Sequence, residues 1–130
     1  MKVNDCIVSW VSKKQSTVAL SSAEAEYMAI SAVVQEIKWI NQLLEEMGFK
    51  QSQPTRIFSD SQSAIAISKD DVNHNRTKHI DIRHHFIRQA VKENQIELKW
   101  IPTENQEADI LTKPLGKFQF KKLRNMITGE

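Results

Sequence analysis

The stretch Thr55–Ile67, with the sequence TRIFSDSQSAIAI, determines more of the fold than any other segment. Residues Arg56–Ser59 are typical of a short strand, and Asp60 stands at its carboxyl end. Ser61 follows as an N-cap for a helix with an apolar body. Ligands of open α/β sheets bind outside the carboxyl ends of strands, so Asp60 is a candidate site residue. The alternative is that Asp60 only forms an Asx turn between strand and helix.

The size and composition of the chain predict one domain with its own core. It has 130 residues, 40% of them hydrophobic, and a net charge of +2 that does not by itself indicate a nucleic-acid partner. We expect a single domain over residues 1–130 with a basic C-terminal tail from about residue 116. Cys6 is the single cysteine, which fits a reducing compartment. With no signal peptide or membrane-spanning run, the expected location is cytoplasmic or nuclear.

Two segments near the N-terminus have strand-like patterns. Cys6–Val11, CIVSWV, alternates with both faces fairly apolar. Thr17–Leu20 is β-branched enough to continue as strand after a polar turn.

The next segment is predicted to be a long helix. Ser21 and Glu24 form a capping box at its start, and Gly48 is a natural stop. Its predicted apolar stripe consists of Ile30, Val33, Ile37, Ile40, Leu44 and Met47. At about 100° per residue, Glu26 lies close to the centre of that stripe and Glu24 almost opposite. A core-facing carboxylate is costly unless it is paired or binds metal, so Glu26 is a candidate site residue. The alternative is a partly solvated first-turn carboxylate that the helix dipole favours.

The segment Arg76–Arg88, RTKHIDIRHHFIR, is dense in basic residues and histidine. Asp81 is a candidate N-cap for a helix here. The predicted apolar side of this helix contains Ile82, Phe86 and Ala90, with Ile87 and Val91 as further candidates. The histidines do not favour a closed zinc site, because no cysteine is near and adjacent side chains point in different directions on a helix; they are His79, His84 and His85. A basic face that contacts phosphates is the functional interpretation, and a merely solvated face is the alternative.

A strand and a short helix are predicted next. Ile96–Ile101 alternates as a strand that Pro102 ends. Thr103 and Gln106 form a second capping box, which predicts a short helix carrying Asp109.

Three carboxylates therefore have comparable predicted settings: Glu26, Asp60 and Asp109. If they converge, they form an acidic cluster that needs cations between its members. Their hard oxygen atoms suit Mg²⁺ or Mn²⁺. Two such ions about 4 Å apart support phosphodiester hydrolysis. Spacing along the chain leaves the convergence open.

Several long motifs carry a resemblance to a known family. The segments LSSAEAEYMAI, IFSDSQSAI, RTKHIDIRHHFIR and IPTENQEADILTKPL occur in that order, and WVSKKQSTVALSSAEAEY belongs to the same pattern. Over about Ser9–Leu115, the chain closely resembles the ribonuclease H domain of copia-type retrotransposon Pol polyproteins. The resemblance implies an α/β, ribonuclease H-like fold, a mixed β-sheet flanked by α-helices. It also implies metal-dependent cleavage of the RNA strand of RNA–DNA hybrids. Of the family's four acidic residues, the motifs place three at Glu26, Asp60 and Asp109.

The chain departs from the family pattern at its N-terminus. The resemblance implies a first strand with a leading catalytic aspartate, but only MKVND precedes CIVSW. We therefore expect an N-terminally truncated domain, in which Asp5 is a turn residue. The histidine that many ribonucleases H carry before the last aspartate has no clear match in Ile101–Asn105. In the intact polyprotein, beside an upstream reverse transcriptase region, the domain is expected to cleave hybrid RNA, and the truncated chain alone is expected to be inactive.

Basic residues are expected to hold the backbone of the RNA–DNA hybrid; they are Lys13, Lys14, Arg76, Lys78 and Arg83. The alternative function, from another class, is a non-catalytic remnant or reused fragment that binds nucleic acid or a protein partner. An in-frame reverse transcriptase upstream would favour the enzyme, and an isolated short reading frame would favour the remnant.

Overall fold

The chain has a mixed α/β structure with four α-helices and small sheets in its described part. The computed structural model describes residues 1–15, 18–69 and 78–129, with residues 78–81 described by their backbone only. The elements in chain order are β1 (Lys2–Val3), β2 (Cys6–Ile7), α1 (Ser22–Glu46), β3 (Thr55–Ser59), α2 (Gln62–Lys69), α3 (Lys78–Lys92), β4 (Ile96–Trp100) and α4 (Lys117–Thr128). Two 3₁₀-helices, Thr103–Asn105 and Glu107–Leu111, lie between β4 and α4.

These elements belong to two compact units. The larger unit is Ala19–Trp100, and the smaller one combines Met1–Val18 with Ile101–Glu130. Among the described residues, no helix combines the length and the apolar character needed to cross a membrane.

The larger unit is built on the parallel pair β3 and β4. Their register runs from Thr55 opposite Ile96 to Ser59 opposite Trp100, so the two carboxyl ends lie at the same edge of the sheet. Side chains alternate as a half-covered sheet requires. The buried positions of the two strands are Ile57, Ser59, Ile96 and Leu98. Helices α2 and α3 form the crossover that a parallel pair needs, and both contact β4.

Helix α1 begins and ends where its capping residues predict. The Ser21 hydroxyl accepts a hydrogen bond from the Glu24 backbone N–H at 3.1 Å, and the Glu24 carboxylate accepts one from the Leu20 N–H at 2.8 Å. At the other end, Gly48 has φ +88°, the left-handed conformation that favours glycine. The N–H of Phe49 then reaches the Leu44 oxygen at 2.8 Å, which closes the helix.

The predicted apolar faces of α1 and α3 are wrong in part. The buried side of α1 consists of Tyr27, Ile30, Ser31, Val34, Ile37 and Ile40. Val33 and Met47 are exposed instead, because the side of α1 that is covered is rotated toward Tyr27 and Val34. In α3, Ile87 and Ala90 are fully buried whereas Ile82 is 67% exposed. The contacts among α1, α2 and α3 determine which of their residues are buried. The apolar residues of these helices are too widely spread to define one face by themselves.

Asp81 does not cap α3. That helix begins at Lys78, so Asp81 lies within its first turn.

The N-terminal strands form a short hairpin. Lys2 pairs with Ile7 and Val3 with Cys6 in antiparallel register. Asn4 and Asp5 both have positive φ, 49° and 62°, which is the two-residue turn that matches the twist of a hairpin. The prediction of Asp5 as a turn residue is confirmed.

The strand predicted over Cys6–Val11 is shorter than expected. β2 ends at Ile7, and Trp10 and Val11 are more than 70% exposed. A strand needs a hydrogen-bonding neighbour, and in the described part of the chain the pairing beyond Ile7 is with Met1 alone. The Met1 oxygen accepts from the Val8 N–H, and the Met1 ammonium donates to the Ser9 oxygen. The strand predicted at Thr17–Leu20 is also wrong from Val18 onward, and Thr17 itself lies outside the described residues. The described residues thus form two separate two-stranded sheets instead of one mixed sheet.

The second predicted capping box is also wrong. Thr103 lies inside a 3₁₀-helix whose N-cap is Pro102, and the Gln106 N–H donates to the Thr103 backbone oxygen at 3.1 Å. Gln106 itself is extended, with φ −75° and ψ 97°, and it separates the two 3₁₀-helices. The chain thus turns tightly twice, which leaves no place for one capped α-helix.

Candidate metal and nucleic-acid sites

Asp60 stands at the carboxyl end of β3, as predicted. It is half-buried, and its backbone oxygen accepts a hydrogen bond from the Trp100 indole Nε1 at 3.2 Å. Ser61 caps the next helix as predicted, because its hydroxyl accepts a hydrogen bond from the Ala64 N–H at 3.2 Å. The Ser61 N–H in turn donates to the Ser59 hydroxyl at 3.1 Å. The backbone on both sides of Asp60 is therefore held in place by local hydrogen bonds.

Glu26 lies in the second turn of α1, at the edge of its buried side. It is half-buried, whereas the adjacent Tyr27 is only 2% exposed. The Tyr27 ring stacks on His84 of α3, with centroids 4.2 Å apart and an angle of 27° between the planes. The Tyr27 hydroxyl also donates to the His84 backbone oxygen at 3.4 Å. This contact fixes the N-terminal part of α1 against α3 and thereby sets the position of Glu26.

Asp109 lies in the second 3₁₀-helix and is buried, with 8% of its surface exposed. Lys113 Nζ donates to its Oδ2 at 2.9 Å. The Asp109 backbone oxygen accepts hydrogen bonds from the N–H groups of Thr112 and Lys113, at 3.2 and 2.9 Å.

The three carboxylates do not all belong to one unit. Glu26 and Asp60 lie in the larger unit, and Asp109 lies in the smaller one. Within either unit, the described residues contain no group of three or more His, Cys, Asp and Glu side chains that could hold a metal ion. A shared site for all three carboxylates therefore stays a prediction.

The five predicted backbone-binding residues differ in their surroundings. Lys13 and Lys14 are exposed, in a segment without regular structure. Arg83 is half-buried in α3. Lys78 is the first residue of α3, but its side chain lies outside the description, as does the whole of Arg76.

The described histidines of α3 lie in different environments. His84 is half-buried against Tyr27, His85 is exposed, and the His79 side chain lies outside the described part.

Three partners near the candidate carboxylates were not predicted from the sequence: Trp100, His84 and Lys113. The sequence could have predicted the contact with Lys113, because Lys113 follows Asp109 by four residues, a spacing that favours ion pairs on helices. Trp100 and His84 contact residues 40 and 57 positions away in the chain, and no local pattern indicates such contacts.

Several known proteins that are similar to most of this chain are long polyproteins. The Retrovirus-related Pol polyprotein from transposon TNT 1-94 of Nicotiana tabacum is 40% identical over 120 residues, which is 92% of this chain and 9% of that protein. Homologues over nine-tenths of this chain are retrovirus-related Pol polyproteins of transposons.

Further relatives agree. The Pol polyprotein from transposon RE2 of Arabidopsis thaliana is 39% identical over 92% of the chain and 8% of its own length. A Truncated transposon Ty1-A Gag-Pol polyprotein of Saccharomyces cerevisiae is 30% identical over 95% of the chain and 10% of its own length. The chain thus spans about a tenth or less of the curated Pol polyproteins it matches. No family model matches the chain, and no solved structure matches it.

Proposed function

We propose that this chain is a ribonuclease H-like segment of a retroelement Pol polyprotein, which hydrolyses the RNA strand of RNA–DNA hybrids with divalent metal ions. The observation that carries the proposal is the position of Asp60. It follows β3 at the edge of the sheet where the carboxyl end of β4 also lies, which is where ligands of α/β sheets bind. Glu26, at the edge of the buried side of α1, supplies a second carboxylate in the same unit.

The donor chemistry fits Mg²⁺ or Mn²⁺. The residues proposed to hold the ions are Glu26, Asp60 and Asp109, which offer hard carboxylate oxygens. Asp109 is buried and its Oδ2 contacts a lysine that a dication could displace. When bound, such ions activate a water molecule and stabilise the leaving oxygen of a phosphodiester. The protein's part is to hold these carboxylates in place: the Ser61 cap would position Asp60, and the Tyr27–His84 contact would position Glu26.

The basic residues complete the proposal. Lys13, Lys14, Arg76, Lys78 and Arg83 are proposed to contact the backbone of the hybrid, which is recognised by shape and phosphates. The comparisons do not favour the alternative, a non-catalytic remnant that binds nucleic acid or a protein partner.

The direct test is cleavage of a hybrid labelled on its RNA strand. Two proteins are compared: the 130-residue chain, and the same chain joined to the segment that precedes the matched region in the TNT 1-94 polyprotein. The resemblance implies a fourth carboxylate upstream of the motifs in this chain, and the preceding segment is chosen to supply it. We expect cleavage by the extended protein in Mg²⁺ or Mn²⁺, and only background cleavage by the 130-residue chain, because both ions must be fixed around the scissile phosphate.

A matched pair of glutamates provides the control. In the extended protein, Glu26→Gln is expected to abolish cleavage, as is Asp60→Asn. Glu24→Gln changes the same chemical group two residues away, but Glu24 serves the helix cap, so cleavage should continue. Equal losses from Glu24→Gln and Glu26→Gln would contradict the role of Glu26. Cleavage that persists in Asp60→Asn would contradict the proposal as a whole.

A further inference from the structure

Helix α4 is the most basic element of the described chain and takes no part in the site proposed above. Its sequence, KFQFKKLRNMIT, has four cationic residues and no Asp or Glu. One side of the helix is attached to the preceding turn: Gln119 donates to the Glu104 oxygen at 2.8 Å, and Lys122 donates to Asn105 Oδ1 at 2.7 Å. Leu123, next to Gln119 on that side, is fully buried.

The opposite side of α4 is a cationic stripe of Lys117, Lys121 and Arg124, which we call the α4 stripe. With about 100° per residue, these three side chains lie within about 60° of one another, on the side away from Leu123. All three are exposed. The side chains of Lys117 and Lys121 make no hydrogen bond or ion pair with any residue that the structure describes. The stripe is about 10 Å long, from the rise of 1.5 Å per residue.

Two phenylalanines flank the α4 stripe. Phe118 is 90% exposed and Phe120 is 45% exposed. Full exposure of a Phe is costly in water, so a surface that presents one beside three cations favours a partner with both negative charge and flat apolar faces. Unpaired nucleotides offer this combination, because each has a phosphate and an open base face. A duplex keeps its base faces stacked, except at its ends.

A membrane surface fits less well. Membrane-bound amphipathic helices bury one continuous apolar face in the lipid. In α4 the apolar side that contains Leu123 is already buried in the protein, and the exposed Phe118 and Phe120 stand on either side of the cations. We propose that α4 binds single-stranded nucleic acid, with the α4 stripe on the phosphates and Phe118 stacked on a base.

The test is the affinity of the 130-residue chain for a fluorescein-labelled oligo(dT) dodecamer, measured by anisotropy at several NaCl concentrations. The buffer contains EDTA, so the result is independent of the proposed metal site. Two triple variants with the same loss of charge are compared: Lys117→Ala/Lys121→Ala/Arg124→Ala, and Lys50→Ala/Lys69→Ala/Lys92→Ala. Only the first should weaken binding and reduce the slope of log affinity against log salt, by about 2 for three phosphate contacts on a single strand.

Variants of Phe118 separate stacking from simple apolar contact. Phe118→Tyr should bind as the parent does, and Phe118→Leu should bind at least about fivefold more weakly, because leucine has no π-face. Equal effects of the two triple variants would overturn the proposal, as would full binding by Phe118→Leu. A different result would assign α4 to a lipid surface: the parent chain binds anionic phosphatidylglycerol vesicles but not the oligonucleotide, and Phe118→Leu binds the vesicles equally well.

Discussion

The indole Nε1 of Trp100, the last residue of β4, donates a hydrogen bond to the backbone oxygen of Asp60, the first residue after β3, at 3.2 Å. The contact joins the carboxyl ends of the two parallel strands directly at the candidate carboxylate. It continues the pairing of Ser59 with Trp100 by one residue beyond the end of the ladder. The hydrogen bond from Trp100 therefore holds Asp60 at the sheet edge in addition to the local hydrogen bonds of the turn around Asp60.

Removal of this hydrogen bond should destabilise the protein measurably. Trp100→Phe keeps an aromatic ring but loses the donor, so we expect the free energy of unfolding to fall by about 1 kcal/mol. Urea denaturation followed by circular dichroism measures it. Trp10→Phe is the control, because Trp10 is 72% exposed, and its effect should stay below about 0.5 kcal/mol. Equal effects of the two substitutions would show that the Trp100 bond contributes nothing to stability.

The covered side of α3 gives a second prediction. Ile87 is fully buried and Ile82 is 67% exposed, although both are isoleucines of one helix. Ile87→Val should lower the free energy of unfolding by about 1 kcal/mol, because a buried methyl group is lost. Ile82→Val should change it by less than about 0.5 kcal/mol. Urea denaturation of the two variants in parallel tests the orientation of α3, and a larger effect at Ile82 would contradict it.

A third prediction concerns the ion pair of Asp109 with Lys113. A dication that binds Asp109 must compete with the Lys113 ammonium, which lies 2.9 Å from Oδ2. Lys113→Met keeps most of the aliphatic stem and removes a unit charge. At about 5 Å in water-like surroundings, that charge opposes a dication by about 1–2 kcal/mol. We therefore expect Mn²⁺ to bind severalfold more tightly to Lys113→Met, as measured by electron paramagnetic resonance of free Mn²⁺.

The control for that titration is Lys117→Met, which changes the net charge equally but at the start of α4. Its Mn²⁺ affinity should equal that of the parent chain. If Lys113→Met also leaves the affinity unchanged, Asp109 does not bind the ion.

Local chemistry made the elements around Asp60 and Glu26 predictable. Ser21, Ser61 and Gly48 act on backbone groups within a few residues, and the structure has each of them in its predicted capping role. The strand β4 was also predictable, because its apolar residues alternate over five positions.

The predictions that failed depend on distant parts of the chain. A strand that reaches Val11 requires a hydrogen-bonding neighbour along its whole length, and the pairing with Met1 in the described residues involves only Val8 and Ser9. The buried sides of α1 and α3 depend on which surfaces meet, as the Tyr27–His84 stack illustrates. Thr103 has the residue type of a cap, but Pro102 and the extended Gln106 turn the chain before an α-helix can start.

The central claim is that Glu26, Asp60 and Asp109 share a divalent cation, and paramagnetic broadening by Mn²⁺ tests it most directly. In a ¹⁵N-labelled sample of the 130-residue chain, the amide signals of these three residues should broaden together and at the lowest Mn²⁺ concentration. Glu45 and Glu46, an exposed acidic pair of α1, should need more Mn²⁺, and Asp60→Asn should raise the concentration needed for all three site residues. Broadening of Asp60 without Asp109, or broadening of Glu45 and Glu46 at the same Mn²⁺ concentration, would contradict the claim.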